Sequence, residues 1–169
     1  MIVAIDFGIT NTDVAVSNKS QYKFFSMPSK NANESFIDEI ISLIDIDITE
    51  ISQIVVTGGK SNELNESFKG VNLTKISETD AIGYGTKEIY KIENEPFITL
   101  SCGTGTACIH HQDGQFSYIG GIAVGGGTIS GLSKAILDSS SLEEITDLAL
   151  KGTRKNIDLL IGDVVNEIG

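Results

Sequence analysis

Ile2-Val3-Ala4-Ile5-Asp6-Phe7-Gly8-Ile9-Thr10 opens the chain with four consecutive apolar side chains and then breaks into an acid, a glycine and a threonine. A continuous apolar run of this length suits a strand buried on both faces, and Asp6-Phe7-Gly8 ends it in a turn. Working outward, residues 14–16 and 22–25 read as two further strands separated by Ser17-Asn18-Lys19-Ser20, so the opening is an antiparallel meander. The period then changes. Phe36, Ile37, Ile40, Ile41 and Ile44 recur at helical spacing, with Asn31 and Glu34 as a capping pair. Residues 54–56 form a strand that stops at Gly58-Gly59, 63–68 a short helix, and 71–76 another strand. Residues 79–90 are helix-like, although Gly83 and Gly85 each cost roughly 1 kcal/mol against Ala.

The polar stretch 91–96 marks a boundary, after which the pattern restarts. Strands are expected at 97–100, 107–110 and 116–119, with Asp113-Gly114 as a hairpin turn. Helices near 129–137, 142–150 and 157–168 follow. A meander followed by crossovers, then begun again, predicts an α/β protein of two related lobes, 1–93 and 94–169.

At 169 residues the chain is long enough for one domain with a sizeable core or for two small lobes sharing one cleft, and 12 Lys plus Arg against 23 Asp plus Glu give it a net charge of −11. That acidity argues against a broad nucleic-acid or anionic-lipid footprint. No run approaches the roughly 18 apolar residues of a membrane span, and the amino terminus lacks the basic region of a signal peptide, so a cytoplasmic location is expected. Cys102 and Cys108 fit neither a disulfide framework nor a metal pair and are expected as reduced, buried thiols. Adjacent His110 and His111 point to opposite faces of a strand and cannot readily share a metal. No serine sits in a G-x-S-x-G elbow.

Chemistry is concentrated in the glycines. Nine of the 18 lie between Gly103 and Gly131, and across residues 96–133 Asp113 is the one formally charged side chain. Clustered glycines after strands bring backbone N–H groups to one place, as phosphate binding requires. Gly125-Gly126-Gly127-Thr128 also precedes a helix whose dipole favours an anion. With no Lys or Arg in that stretch, a bound polyphosphate needs a divalent cation. Asp6 is placed to hold a hydrated Mg²⁺, and Glu78 to take a proton from a hydroxyl. Other phosphate motifs fail: Ile54 stands where a P-loop ending at Lys60-Ser61 needs its first glycine, and Cys108 interrupts a dinucleotide fingerprint begun at Gly103.

Asp6-x-Gly8-x-Thr10, Val56-Thr57-Gly58-Gly59, Glu78-Thr79-Asp80-Ala81, Gly103-Thr104-Gly105-Thr106 and Gly120-Gly121 through Gly125-Gly126-Gly127-Thr128 to Gly131-Leu132 occur in the order that resembles type II (Fumble-like) pantothenate kinases. The stretch 148–163 is also similar to that family's helix after the Gly-rich turn. The resemblance covers essentially the whole chain. It implies the ribonuclease-H-like, actin-like ATPase fold, two lobes closing over Mg-ATP, the second lobe incomplete here. It further implies nucleotide contacts from Asp6, Gly8, Thr10, Gly103, Thr104, Gly105 and Gly125 to Thr128, with Mg²⁺ at Asp6. Glu78 would be the catalytic base toward the pantothenate hydroxyl, in coenzyme A biosynthesis.

Three departures accompany it. Ile9 and Asp13 stand where the family's first loop has a second glycine and a lysine, and Tyr118 stands where an arginine is common. The resemblance also implies further chain bearing an adenine loop and dimerisation residues, so a fragment, a homodimer subunit or one member of a pair is expected. Two alternatives stay open: another actin-like kinase or ATPase with a different acceptor, and a non-catalytic nucleotide- or coenzyme-A-binding regulator.

Overall fold

The computed structural model describes residues 1–18, 21–158 and 163. β1 (Ile2–Phe7), β2 (Asn11–Asn18) and β3 (Gln21–Pro28) form the antiparallel meander, each extending beyond the apolar residues that signal it. β4 (Gln53–Thr57) and β6 (Val71–Lys75) run parallel to β1, and β5 (Ser67–Phe68) pairs with β6, giving the order β3-β2-β1-β4-β6-β5.

Alternation along the strands decides what packs where. Val3, Ile5, Phe7, Val14, Val16, Ile54 and Val56 point to one face and are buried. α1 (Glu34–Leu43) completes that core with Phe36, Ile37, Ile40 and Ile41. Each such side chain contributes roughly 1.5–3 kcal/mol by leaving water. Its cap is Asn33 rather than Asn31: the Phe36 amide donates to Asn33 Oδ1 at 2.9 Å, two residues later than the capping pair anticipated.

The helix expected over 63–68 is replaced by one 3₁₀ turn, Ser61–Glu63, and the strand β5. Lys69 and Gly70 both adopt left-handed backbone, with φ of 47° and 85°, and close a two-residue hairpin that pairs Phe68 with Val71. Burying Phe68 through that hairpin overrides the local helical preference.

The second sheet, β7 (Phe97–Cys102), β8 (Thr106–Gln112) and β9 (Gln115–Ile122), is the restarted meander. Its Asp113-Gly114 turn has φ of 52° and 77°, the pairing of a tight hairpin. α2 (Glu78–Tyr90) lies against all three strands. Gly83 makes that approach possible, because a Cβ there would overlap the Phe116 ring. Thr99 Oγ1 donates to Thr86 Oγ1 at 3.0 Å across the same contact. His111 is 1% exposed and packs between Phe97 and Phe116, with ring centroids 4.7 and 5.0 Å away. It is a core side chain of this sheet.

α3 (Gly126–Leu137) and α4 (Leu142–Lys151) follow, and a 3₁₀ turn, Arg154–Asn156, succeeds them. The helix expected over 157–168 lies outside the described residues, apart from 157, 158 and 163. Both cysteines are free, as anticipated, but neither is buried: Cys102 is exposed where β7 runs out into the following glycine turn, and Cys108, on β8, is half-buried. Among the described residues, no helix is long and apolar enough to cross a membrane.

The two glycines of α2 are expected to answer oppositely to substitution. Gly83→Ala should lower unfolding stability by about 1–3 kcal/mol through overpacking against Phe116. Gly85→Ala, which meets nothing within 4 Å, should raise it by about 0.5–1 kcal/mol. Urea unfolding of the two variants measures both.

Candidate active site

Parallel pairing delivers three strand ends to one edge. Asp6 on β1 lies directly opposite Thr57 on β4 and, on the other side, Asp13 on β2. The Ile76 amide donates to the Val56 carbonyl at 2.9 Å, which carries the chain just past β6 and places Ser77 and Glu78 at the same edge. Ser77 caps α2, its Oγ accepting from the Asp80 amide at 3.0 Å, so Glu78 stands on the first turn of the helix.

The turns between these elements touch backbone to backbone. Gly58 adopts φ +92°, and a Cβ there would overlap the Phe7 carbonyl. A side-chain-bearing residue would be strained on both counts. A Cβ on Gly8 would come within 2.5 Å of the Asn11 carbonyl oxygen. These contacts press the first turn, residues 8–10, against the end of β4.

The second glycine turn is built in the same way. The Gly103 amide donates to the Gly105 carbonyl at 2.8 Å, and the Gly126 amide to the Gly103 carbonyl at 2.8 Å. A Cβ on Gly125 would lie 2.5 Å from the Gly105 carbonyl oxygen, so the 103–106 turn is seated against the start of α3. Thr106 Oγ1 donates to the Val124 carbonyl at 2.8 Å and Thr128 Oγ1 to the Ala123 carbonyl at 3.1 Å. With the Gly126 amide engaged, Gly127 and Thr128 are the first-turn residues of α3 whose N–H groups an α-helix leaves for an outside acceptor.

The two turns meet. Thr10 Oγ1 and Thr104 Oγ1 are 2.9 Å apart, a hydrogen bond between residues 94 positions apart in sequence. Asp6, Gly8, Thr10, Thr57 and Glu78 thus lie along one side of a cleft, with Thr104 and the start of α3 on the other. Thr57, within the Val56-Thr57-Gly58-Gly59 motif, joins this group only through the β1–β4 register, which no local sequence signal reveals. Its Oγ1 is enclosed and has no hydrogen-bond partner.

Electrostatics in the cleft are acidic. Burial raises the Asp6 carboxyl above its ordinary value near 3.8, and the carboxylates of Glu78 and then Asp13 push it further up. A cation near Asp6 would relieve all three acids at once. The residues fit a hydrated Mg²⁺ bound with a polyphosphate: Mg²⁺ keeps several waters and needs only one or two protein carboxylates. The contact of Gly125 with Gly105 holds the second turn against the start of α3, where the Gly127 and Thr128 amides fit phosphate oxygens.

Comparison with known proteins agrees with this architecture. The Fumble family model matches residues 8–168. The type II pantothenate kinase of Bacillus anthracis is 33% identical over 172 residues, covering 98% of this chain and 60% of that protein. The type II pantothenate kinase of Staphylococcus aureus (strain USA300) is 28% identical over 171 residues, covering 99% and 61%. The chain therefore spans about 60% of the length of the curated relatives it matches.

Among solved structures, the activator of the 2-hydroxyisocaproyl-CoA dehydratase from Clostridium difficile, with bound ADPNP, superposes with a TM-score of 0.64 at 15% identity, covering 90% of this chain and 57% of that one. A ROK family protein from Streptococcus pneumoniae in complex with sucrose gives 0.53 at 14% identity, covering 90% and 68%. Those likenesses show the fold, the ribonuclease-H-like, actin-like ATPase arrangement that the family resemblance implies. A family match running from the first glycine turn to the last residues of the chain decides the rest: this chain belongs to the Fumble family.

Proposed function

We propose that this chain forms the phosphate-binding and acceptor-activating part of an ATP-dependent pantothenate kinase acting in coenzyme A biosynthesis. The observation that carries the reading is the meeting of the two glycine turns at Thr10 and Thr104, beside Asp6 and Glu78. The type II pantothenate kinases it resembles supply the acceptor.

Each residue has a role in this reading. Bound ATP supplies the phosphoryl group, and Mg²⁺ offsets its negative charge. Asp6 would hold the hydrated ion. Gly8, Thr10, Gly103, Thr104, Gly105 and the start of α3, Gly125 to Thr128, would hold the phosphates by N–H and hydroxyl groups already fixed by the turn contacts. Glu78, on the rim of the cleft, would accept the proton of the pantothenate hydroxyl at its carboxylate. The substrate is a small molecule, and the cytoplasm is the compartment in which the reaction would take place.

One observation favours a second reading, a kinase of the same fold with a different acceptor. Asp13 lies directly opposite Asp6 at a place where the family resemblance implies a lysine. Three carboxylates at the cleft disfavour an acceptor that brings a fourth.

Mass-spectrometric detection of phosphopantothenate from pantothenate and Mg-ATP tests the first reading. Product is expected, and Glu78→Gln should reduce its rate by at least about 10²-fold. Product from other hydroxyl compounds with none from pantothenate would favour the second reading, and no transfer to any acceptor would contradict both.

The acid cluster carries its own expectation. Asp6 binds its proton more tightly in the folded chain than in the unfolded one, so stability falls as pH rises from about 3.8 through the folded value and is recovered on acidification. Asp6→Asn should therefore melt above the native chain at pH 7, the gap narrowing toward pH 4. Carboxyl NMR should show the Asp6 pKa falling further in Glu78→Gln than in Asp13→Asn.

A further inference from the structure

The first glycine turn, Gly8-Ile9-Thr10, has little side-chain packing of its own, because Ile9 is 83% exposed. A residue just past the end of β3 holds it instead. The Ser29 amide donates to the Thr10 carbonyl at 3.0 Å, and the Ser29 hydroxyl donates to the Gly8 carbonyl. One residue thus engages the carbonyl oxygens at both ends of the turn. A hydroxyl carries a single proton, so Ser29 Oγ must accept in its 2.9 Å contact with Thr12 Oγ1, which makes Thr12 the donor. Thr12 is 0% exposed and shares the buried face of β2 with Val14 and Val16. The donor chain therefore runs from the core outward, Thr12 to Ser29 to Gly8, and each link polarises the next.

The direction of those carbonyls decides what the turn offers a ligand. Across a trans peptide the C=O and the following N–H point in opposite directions, so drawing the Gly8 oxygen toward Ser29 turns the Ile9 N–H away from it. A flip of that peptide would set an oxygen where an anion needs a donor. The Ser29 hydroxyl opposes the flip, and its amide fixes Thr10, whose own hydroxyl meets Thr104 at 2.9 Å. We propose that Ser29 is a positioning residue for the phosphate site, keeping the N–H groups of the first turn, rather than its oxygens, available to a polyphosphate. The inference rests on the reading of the cleft as a phosphate site and is independent of the acceptor.

The test measures calorimetric binding of a non-hydrolysable ATP analogue with Mg²⁺, and backbone ¹⁵N order parameters without ligand, for the native chain, Ser29→Ala, Ser29→Thr and Thr12→Val. Ser29→Ala should weaken binding about 3- to 10-fold. It should also lower the order parameters of residues 8–10 from about 0.85 to below about 0.6, leaving residues 103–106 unchanged. Ser29→Thr keeps the hydroxyl and should restore both. Thr12→Val removes the donor to Ser29 at nearly constant shape and should weaken binding about two- to threefold, which tests the chain even if Ser29→Ala does not fold. Native affinity or native order at 8–10 in Ser29→Ala, a loss that Ser29→Thr shares in full, or, should Ser29→Ala not fold, native affinity in Thr12→Val would overturn the inference and leave the phosphate reading standing. A native chain that takes up no analogue would overturn that reading, and the inference with it.

Discussion

Parallel pairing of β1 with β4, and of β4 with β6, is the constraint on which the remaining structure depends. Strands that run the same way end at the same edge, and ligands of open α/β sheets bind beyond those carboxyl ends. Here the edge gathers Asp6, Thr57 and Glu78 from three segments far apart in sequence. Antiparallel pairing at β4 would have sent Thr57 to the opposite end of the sheet and left Asp6 beside a loop. The price of the arrangement is a sheet that needs cover on two faces, of which α1 supplies one.

Glycine turns convert that edge into a cleft. The contact of Gly58 with the Phe7 carbonyl fixes the first turn against β4, and the contact of Gly125 with Gly105 fixes the second against α3. Each turn is held by its own sheet, so the Thr10–Thr104 hydrogen bond joins two separately supported pieces rather than two loose loops. Preorganisation of this kind lets backbone N–H groups hold phosphate without large reorganisation on binding. In the proposed reading their neutrality would leave charge compensation to a cation, and the Asp6 carboxylate, held under repulsion from Glu78 and Asp13, would receive it.

Much of this was legible in the sequence because the deciding signals are local. The apolar run 2–5, the helical spacing from Phe36 to Ile44, and the Asp113-Gly114 turn each declare themselves within a few residues, and each appears in the structure. The glycine turns were legible as turns. What the sequence did not show depends on contacts between distant segments. Residues 63–68 have helical character locally, but the Lys69-Gly70 hairpin and burial of Phe68 make a strand there. Gly83 reads as a flaw in a helix until Phe116, 33 positions on, is seen to need its space. Thr57 stayed unassigned because only the β1–β4 register sets it beside Asp6. Asn31 and Asn33 are equally good caps by type, and only the path of the chain into α1 selects Asn33.

Amide chemical-shift mapping of this chain with a non-hydrolysable ATP analogue and Mg²⁺ shows whether the two glycine turns form one phosphate site. Shifts are expected to concentrate at residues 8–10, 103–106 and 126–128, with all three groups responding along one saturation curve and losing the response when Mg²⁺ is chelated. Shifts confined to one turn, or a saturable response elsewhere with these amides unmoved, would contradict it.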